Sequence, residues 1–321
     1  MAPHRRKESE KKMTIFETIQ KRFPVRNTPE EKEAFREFTL DFASGMGWNA
    51  QTEDDSRHLN IVFGDPERAE TVFTAHYDTP RRSLFPNLMM SCARRLSFLY
   101  QIGIVLLLLV VPTLAALWLF YRLIPLDYGA VSGRLALLGV YFLVYFGLFL
   151  LFFKGRKNPH NANDNTSGVA TVMEILLAVP EEKRGKVAAI LFDDEEKGKQ
   201  GSKVFASAHQ SIKKSTRVVN FDCVGLGNHF VVIENKSFNL KDESFREAFG
   251  MLSEVIFRNG KKARANSDHH SFDQGITVLT CKKSSQGILY ADRIHTPKDT
   301  EVSEENIHQL CDVSIRYIEK L

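Results

Sequence analysis

The chain has 321 residues, enough for one large α/β unit or two smaller domains. Hydrophobic residues at 43% and charged residues at 26% are ordinary for a globular protein and exclude wholesale disorder. The formal net charge is +4, and residues 1–12 alone hold five basic and two acidic side chains, so no basic surplus remains for nucleic-acid binding.

Residues 1–12 read as a basic, solvated, disordered tail. Thr28-Pro29-Glu30-Glu31 is a capping box with proline at the first helical position, and it opens a helix towards about Ser44. Short β-branched and aromatic runs at 58–63 and 71–75 predict strands. The mean hydropathy of -0.22 excludes a protein that is mostly membrane, yet it hides two local extremes. Between Arg95 and Arg122 lie 26 consecutive uncharged residues, and between Arg134 and Lys154 lie another 19. A membrane-crossing helix needs about 20 apolar residues, and neither run keeps the polar stripe of a buried core helix. Pro112 in the first run is tolerable in a membrane helix.

The short connection holding Pro125, Asp127, Gly129 and Gly133 predicts an antiparallel transmembrane hairpin, with both flanks on one side of the bilayer. Those flanks carry Arg81, Arg82, Arg94, Arg95, Lys154, Arg156 and Lys157, against Arg122 and Arg134 at the tip. Seven against two places the bulk of the protein on the cytoplasmic face of the cell membrane. Scattered cysteines agree: Cys92, Cys223, Cys281 and Cys311 form no Cys-x-x-Cys pair and read as free thiols in a reducing compartment.

After the hairpin, residues 168–179 have helical spacing and 187–192 form a continuous apolar strand. A helix at 202–212, strands at 217–221 and 229–234, and a helix at about 242–259 ended by Gly260 follow. A strand at 277–281 and an amphipathic helix at 303–321 complete the chain. The alternation predicts an α/β fold, a mixed and largely parallel sheet flanked by helices. Its expected parts are the tail 1–12, a first section 13–95, the hairpin 96–153 (helices at about 96–121 and 135–153) and a second section 154–321.

Metal-ligand residue types cluster where the apolar strands end. His76-Tyr77-Asp78 ends the strand at 71–75, and in extended backbone Asp78 faces the same way as His76 and can orient its ring. Asp164 precedes a predicted helix and, taken alone, reads as well as an N-cap. Asp193-Asp194-Glu195-Glu196 follows the strand at 187–192, where four carboxylates repel unless a cation holds them. Asp222 ends the strand at 217–221, and His295 stands next to a turn.

The ordered set is His-x-Asp, Asp-x-x-Ser-Gly, Glu-Glu-x-Gly-x-x-Gly-Ser, an Asp after a strand, Ser-Asp-His and His-Thr-x-x-Asp-Thr. Together these resemble the co-catalytic zinc aminopeptidases of the M28 peptidase family, from about Thr71 to Thr300, with the hairpin as an insertion. The resemblance implies the zinc-dependent exopeptidase fold and two Zn²⁺ ions, with manganese or cobalt as other candidates. It assigns His76 and Asp222 to one metal, Glu196 and His295 to the other, and Asp164 to both. Glu195 becomes the general acid/base, Asp78 the carboxylate behind His76, and Ser267, Asp268 and His269 walls of the substrate site. Tyr290, five residues before His295, is a candidate donor to the oxyanion. The residue types suit that chemistry, since imidazole and carboxylate oxygens bind Zn²⁺ in sites that keep open positions.

Asn163 stands where the family often has a second Asp, and Lys197, Lys199 and Gln200 replace residues that are more often apolar. The expected function is a membrane-anchored exopeptidase, an aminopeptidase acting on peptide or protein N-termini beside the lipid bilayer. The alternatives are a carboxypeptidase or glutaminyl cyclase, or a non-catalytic receptor or scaffold on a degenerate peptidase domain.

Overall fold

The computed structural model describes residues 13–54, 57–83, 85, 87–123, 130–153, 155–235, 242–263 and 265–321. The basic tail and the hairpin tip at 124–129 fall outside these.

Before the insertion the chain forms helices α1 (Ile15–Arg22) and α2 (Pro29–Gly45) and strands β1 (Ala50–Asp54), β2 (Leu59–Phe63) and β3 (Thr71–His76). The insertion is α3 (Arg94–Leu123) and α4 (Ala130–Phe153), which pack on each other. Beyond it come α5 (Ser167–Ala178), β4 (Val187–Phe192), α6 (Gln200–Ala208), α7 (Gln210–Ser215), β5 (Arg217–Phe221) and β6 (His229–Glu234). Helix α8 (Glu243–Phe249), strands β7 (Val255–Asn259), β8 (Gly275–Lys283) and β9 (Leu289–Tyr290) and helix α9 (Glu304–Glu319) complete the chain.

Among the described residues, nine strands form one mixed sheet in the order β1-β2-β4-β3-β5-β8-β6-β7, with β9 on β8. Strands from before and after the insertion interleave, and β4, β3, β5 and β8 run parallel. Their carboxyl ends therefore lie along one edge, where open parallel sheets hold their ligands.

Alternate side chains of these strands feed opposite faces. Phe73, Ala75, Ala189 and Leu191 face a core shared with α1, α2, α5, α8 and α9, while Val72, Ala188, Ile190 and Phe192 face α6 and α7. Burying each such large apolar side chain contributes about 1.5–3 kcal/mol. The Thr28 box closes as its sequence requires: Glu31 N donates to Thr28 Oγ1 at 3.3 Å, and Thr28 N to Glu31 Oε2 at 3.0 Å.

Three expectations change. The apolar spacing at 242–259 holds a helix only to Phe249; after Gly250 the run Val255-Ile256-Phe257 pairs in parallel with β6. β-branched and aromatic residues there win a place on the sheet that helical spacing alone does not predict. The helix expected at 202–212 is two, broken at His209 (φ -109°, ψ 74°). Among the described residues one helix is long and apolar enough to cross a membrane, Arg94–Ala115, with only 6% of that span buried. In α4 the described apolar stretch is Leu138–Gly147, too short by itself.

His209 joins the sections before and after α3 and α4 at the surface. Its Nε2 lies 2.8 Å from Glu53 on β1 and its Nδ1 2.7 Å from Glu67, which also accepts from Ser211. Burial disfavours the imidazolium, but the two carboxylates outweigh it and raise His209 above its ordinary value of 6.5. A raised folded value means the pairing stabilises fully below about 6.5 and is lost as pH rises through the raised value. His209→Gln should therefore lower the urea midpoint most at pH 6. The gap should narrow on going to pH 9, leaving the loss of the stacking of His209 on Phe205, centroids 4.3 Å apart, and of the one hydrogen bond a neutral imidazole still donates.

Candidate metal centre

His76 is the last residue of β3 and is 1% exposed. Its Nδ1 lies 3.2 Å from Asp78 O and 3.3 Å from Asp78 Oδ1, acceptors for the Nδ1 proton that leave Nε2 as the free lone pair. The Asp78 carboxylate also accepts from Glu195 N at 3.0 Å and Glu196 N at 3.1 Å. One side chain thus fixes both the imidazole and the turn after β4.

Asp164 faces two imidazoles. Its Oδ1 is 3.4 Å from His76 Nε2 and its Oδ2 3.1 Å from His295 Nε2. Asp222, one residue past β5, reaches to 3.9 Å from His76 Nε2, and Glu196 to 3.3 Å from His295 Nε2. Ligand atoms of His76, Asp164 and Asp222 lie within 4.8 Å of one another, and so do those of Asp164, Glu196 and His295. A third group joins Glu195 to His76 and Glu196.

The electrostatics of this cluster call for cations. Asp78, Asp164, Glu195, Glu196, Asp222 and Asp268 outnumber the two imidazoles. Burial disfavours charge on His76 and His295, yet the carboxylates around them outweigh it and hold both well above the ordinary histidine range. Burial likewise lifts Glu195 well above the carboxylate range, against the pull of His76 and with the repulsion of Asp268 and Glu196. For Asp164 burial acts upward, but His295 and His76 prevail and keep it below its usual value. A buried acidic excess of this kind is met by proton uptake or by bound cations. Two nitrogen and four oxygen ligands in two groups sharing one carboxylate fit a pair of divalent ions of zinc type.

The scaffold accounts for the rest of the motifs. Asp299, fully buried, accepts from Asn163 N at 2.8 Å and Asp164 N at 3.0 Å, and so sets the loop that presents Asp164. Burial pushes its carboxyl up to about 7 against those two bonds. Asn163 points away from the ligands, its Oδ1 accepting from Gly225 N and Leu226 N. Asn165 Oδ1 accepts from Gly168 N and Cys223 N, tying the loop to the end of β5. A Cβ at Gly168 would lie 2.4 Å from both Asn165 Oδ1 and Phe221 O, and one at Gly201 2.4 Å from Asp193 O, so both motif glycines permit close approach.

Only half of the acidic run faces the ligands. Asp193 and Asp194 turn to the buried Lys32 ammonium on α2, and Asp194 also meets His58 at 3.0 Å. The cation those two carboxylates need is a lysine 161 residues away in sequence, which adjacency does not reveal. Arg26 is equally unannounced: fully buried, it donates to Tyr77 O, Phe23 O and Thr166 Oγ1 beneath the His76 turn.

The remaining candidates lie elsewhere. The cleft over the centre, about 780 Å³, is lined by the ligand residues and Glu195 together with Asn266, but not by Ser267, Asp268 or His269. Those three are buried, and Ser267 Oγ accepts from Asn220 Nδ2 at 2.7 Å. Burial pushes Asp268 up to about 7, partly offset by His76 and Ser202. Tyr290 sits on β9 in register with Lys282 and does not line the cleft.

Residues 153–318, over half of the chain, match the sequence profile of peptidase family M28. Among solved structures, the LapA aminopeptidase of Legionella pneumophila is similar at 14% identity and a TM-score of 0.55, over 95% of this chain and 69% of that one. Glutaminyl cyclase of Fimbriiglobus ruber is similar at 17% identity and a TM-score of 0.57, over 96% and 94%. Likenesses at this identity show the fold. No curated protein matches the sequence.

Two outcomes test this construction of the site. Asp299→Ala should weaken zinc binding by about 10–100-fold, read by competition with a fluorescent chelator, because the Asp164 loop loses its anchor. Lys32→Met should cost about 3–5 kcal/mol in chemical unfolding, since it leaves Asp193 buried and uncompensated.

Proposed function

The chain belongs to peptidase family M28, and on that premise we propose that it is a membrane-anchored two-metal aminopeptidase. The observation that carries this reading is Asp164, which offers one oxygen to each of two imidazoles, with a further carboxylate beyond each. In this reading His76, Asp164 and Asp222 hold one Zn²⁺, and Asp164, Glu196 and His295 hold the other. When bound, the two cations supply Lewis acidity towards a peptide carbonyl and make water acidic enough to lose a proton near neutral pH.

The chain's own residues do the rest. Glu195 belongs to neither group that shares Asp164, yet it stands within 4.8 Å of ligand atoms of His76 and Glu196. It is therefore free to take a proton from water and pass it to the leaving amine. Asp78 orients both His76 and the backbone that carries Glu195, so base and ligand keep one geometry.

Membrane anchoring rests on α3, whose mostly apolar span of 22 residues is left almost entirely unburied, and it needs α4 to return the chain, because strands from before and after the pair share one sheet. The Arg and Lys content of its flanks favours a cleft on the cytoplasmic side. A glutaminyl cyclase shares the fold and is the competing reading.

The deciding assay uses the detergent-purified chain with aminoacyl chromogenic amides and an N-terminal glutaminyl peptide. Amide hydrolysis is expected, removed by a chelator and restored by zinc at two ions per chain. Glu195→Gln should lower kcat by about 10²–10⁴ while zinc content stays unchanged. Cyclisation of the glutaminyl peptide, without amide hydrolysis and at one ion per chain, would replace the peptidase reading with the cyclase one.

A further inference from the structure

One wall of the cleft over the metal centre is built by the segment that leads into α3. Met89 and Met90 stand just before the helix, and Arg95, Phe98 and Gln101 stand on its first two turns. At 1.5 Å per residue, Gln101 lies about 10 Å along the axis from Arg94. The apolar span begins at Arg94 as well, so one helix is both cleft wall and candidate membrane crossing.

The base of that helix is tied to the ligand loop rather than hung on a stalk. Met89 and Ala291 exchange backbone hydrogen bonds at 3.0 and 2.8 Å, four residues before His295, and Ser83 N donates to His295 O at 2.9 Å. Arg94 donates to Lys261 O at 2.6 Å, which secures the first turn from the opposite side. The distance between metal centre and helix start is therefore set by the fold.

From this geometry we infer that the substrate is the N-terminus of a membrane-anchored peptide, which enters the cleft from the lipid headgroup layer. The inference rests on the aminopeptidase reading and on α3 crossing a bilayer. The interfacial layer is about 5–8 Å deep on each side of the hydrocarbon core, close to the length of the two turns that wall the cleft. Arg94 and Arg95 then stand at the level of the lipid phosphates, as basic residues flanking a span do. Phe98, 61% exposed, and Met89 offer an apolar surface to side chains near the substrate's N-terminus. A peptide held at the interface meets this mouth without leaving the membrane surface, whereas a free peptide must find it from bulk water.

The test uses the full chain, zinc-loaded and reconstituted in lipid vesicles, with three fluorogenic peptides of identical N-terminal sequence. One is soluble, one is acyl-anchored through about 4 residues and one through about 25, giving extended reaches of about 13 and 80 Å. Hydrolysis of the short-tethered peptide should match that of the long-tethered one within about threefold. It should exceed that of the soluble one by about tenfold or more at equal bulk concentration, through the raised local concentration of an anchored substrate. Cleavage of the long-tethered peptide without the short one would put the mouth away from the bilayer and overturn the inference, as would equal rates for all three. Failure to cleave any of them, the soluble peptide included, would instead remove the aminopeptidase reading and this inference with it.

Discussion

Asp164 stands between two histidines, and the architecture around it exists to keep it there. A carboxylate facing His76 with one oxygen and His295 with the other fixes the separation of two groups of ligands. The position is costly, because nine carboxylates, those of Asp78, Asp164, Asp193, Asp194, Glu195, Glu196, Asp222, Asp268 and Asp299, gather about the ends of the parallel strands. The fold meets the excess in three ways. Backbone N–H groups serve Asp78 and Asp299, the Lys32 ammonium serves Asp193 and Asp194, and oxygens of Asp164, Glu195, Glu196 and Asp222 join His76 and His295 in groups fit for divalent cations.

Sheet order makes this convergence possible. His76, the Glu195-Glu196 turn and Asp222 follow β3, β4 and β5, which are adjacent and parallel, so three distant sequence segments end side by side. The insertion enters between β3 and the Asp164 loop and leaves the sheet intact. Its first helix starts at the rim of the cleft, which couples the position of the metal centre to whatever surrounds α3.

The candidate ligands were named in the linear chain because residues of metal-binding type stand at strand ends in an order that resembles family M28. His76, Asp164, Glu196, Asp222 and His295 were legible in this way, and the structure brings them together in two overlapping groups. Lys32, Arg26 and the anchoring role of Asp299 were not. Each acts across more than a hundred residues of sequence, and a lysine in a helix or an arginine before a capping box carries no local mark of such a partner. Ser267, Asp268, His269 and Tyr290 are not among the residues that line the cleft. The 242–259 stretch shows the same limit. Its apolar spacing suits a helix, but pairing with β6 offers Val255, Ile256 and Phe257 hydrogen bonds that only a sheet neighbour can provide.

By itself the sequence determined residue chemistry and local periodicity. The α/β alternation, the capping box at Thr28, the long uncharged runs and the types of ligand available all follow from side-chain identity and spacing within a few residues. Tertiary structure alone decided which carboxylates gather in the candidate metal site and which meet a lysine, and that the helix after Arg94 walls the cleft. Those outcomes depend on strand order and loop closure, which set distances between residues far apart in the chain, and such distances are not encoded in any short window of it.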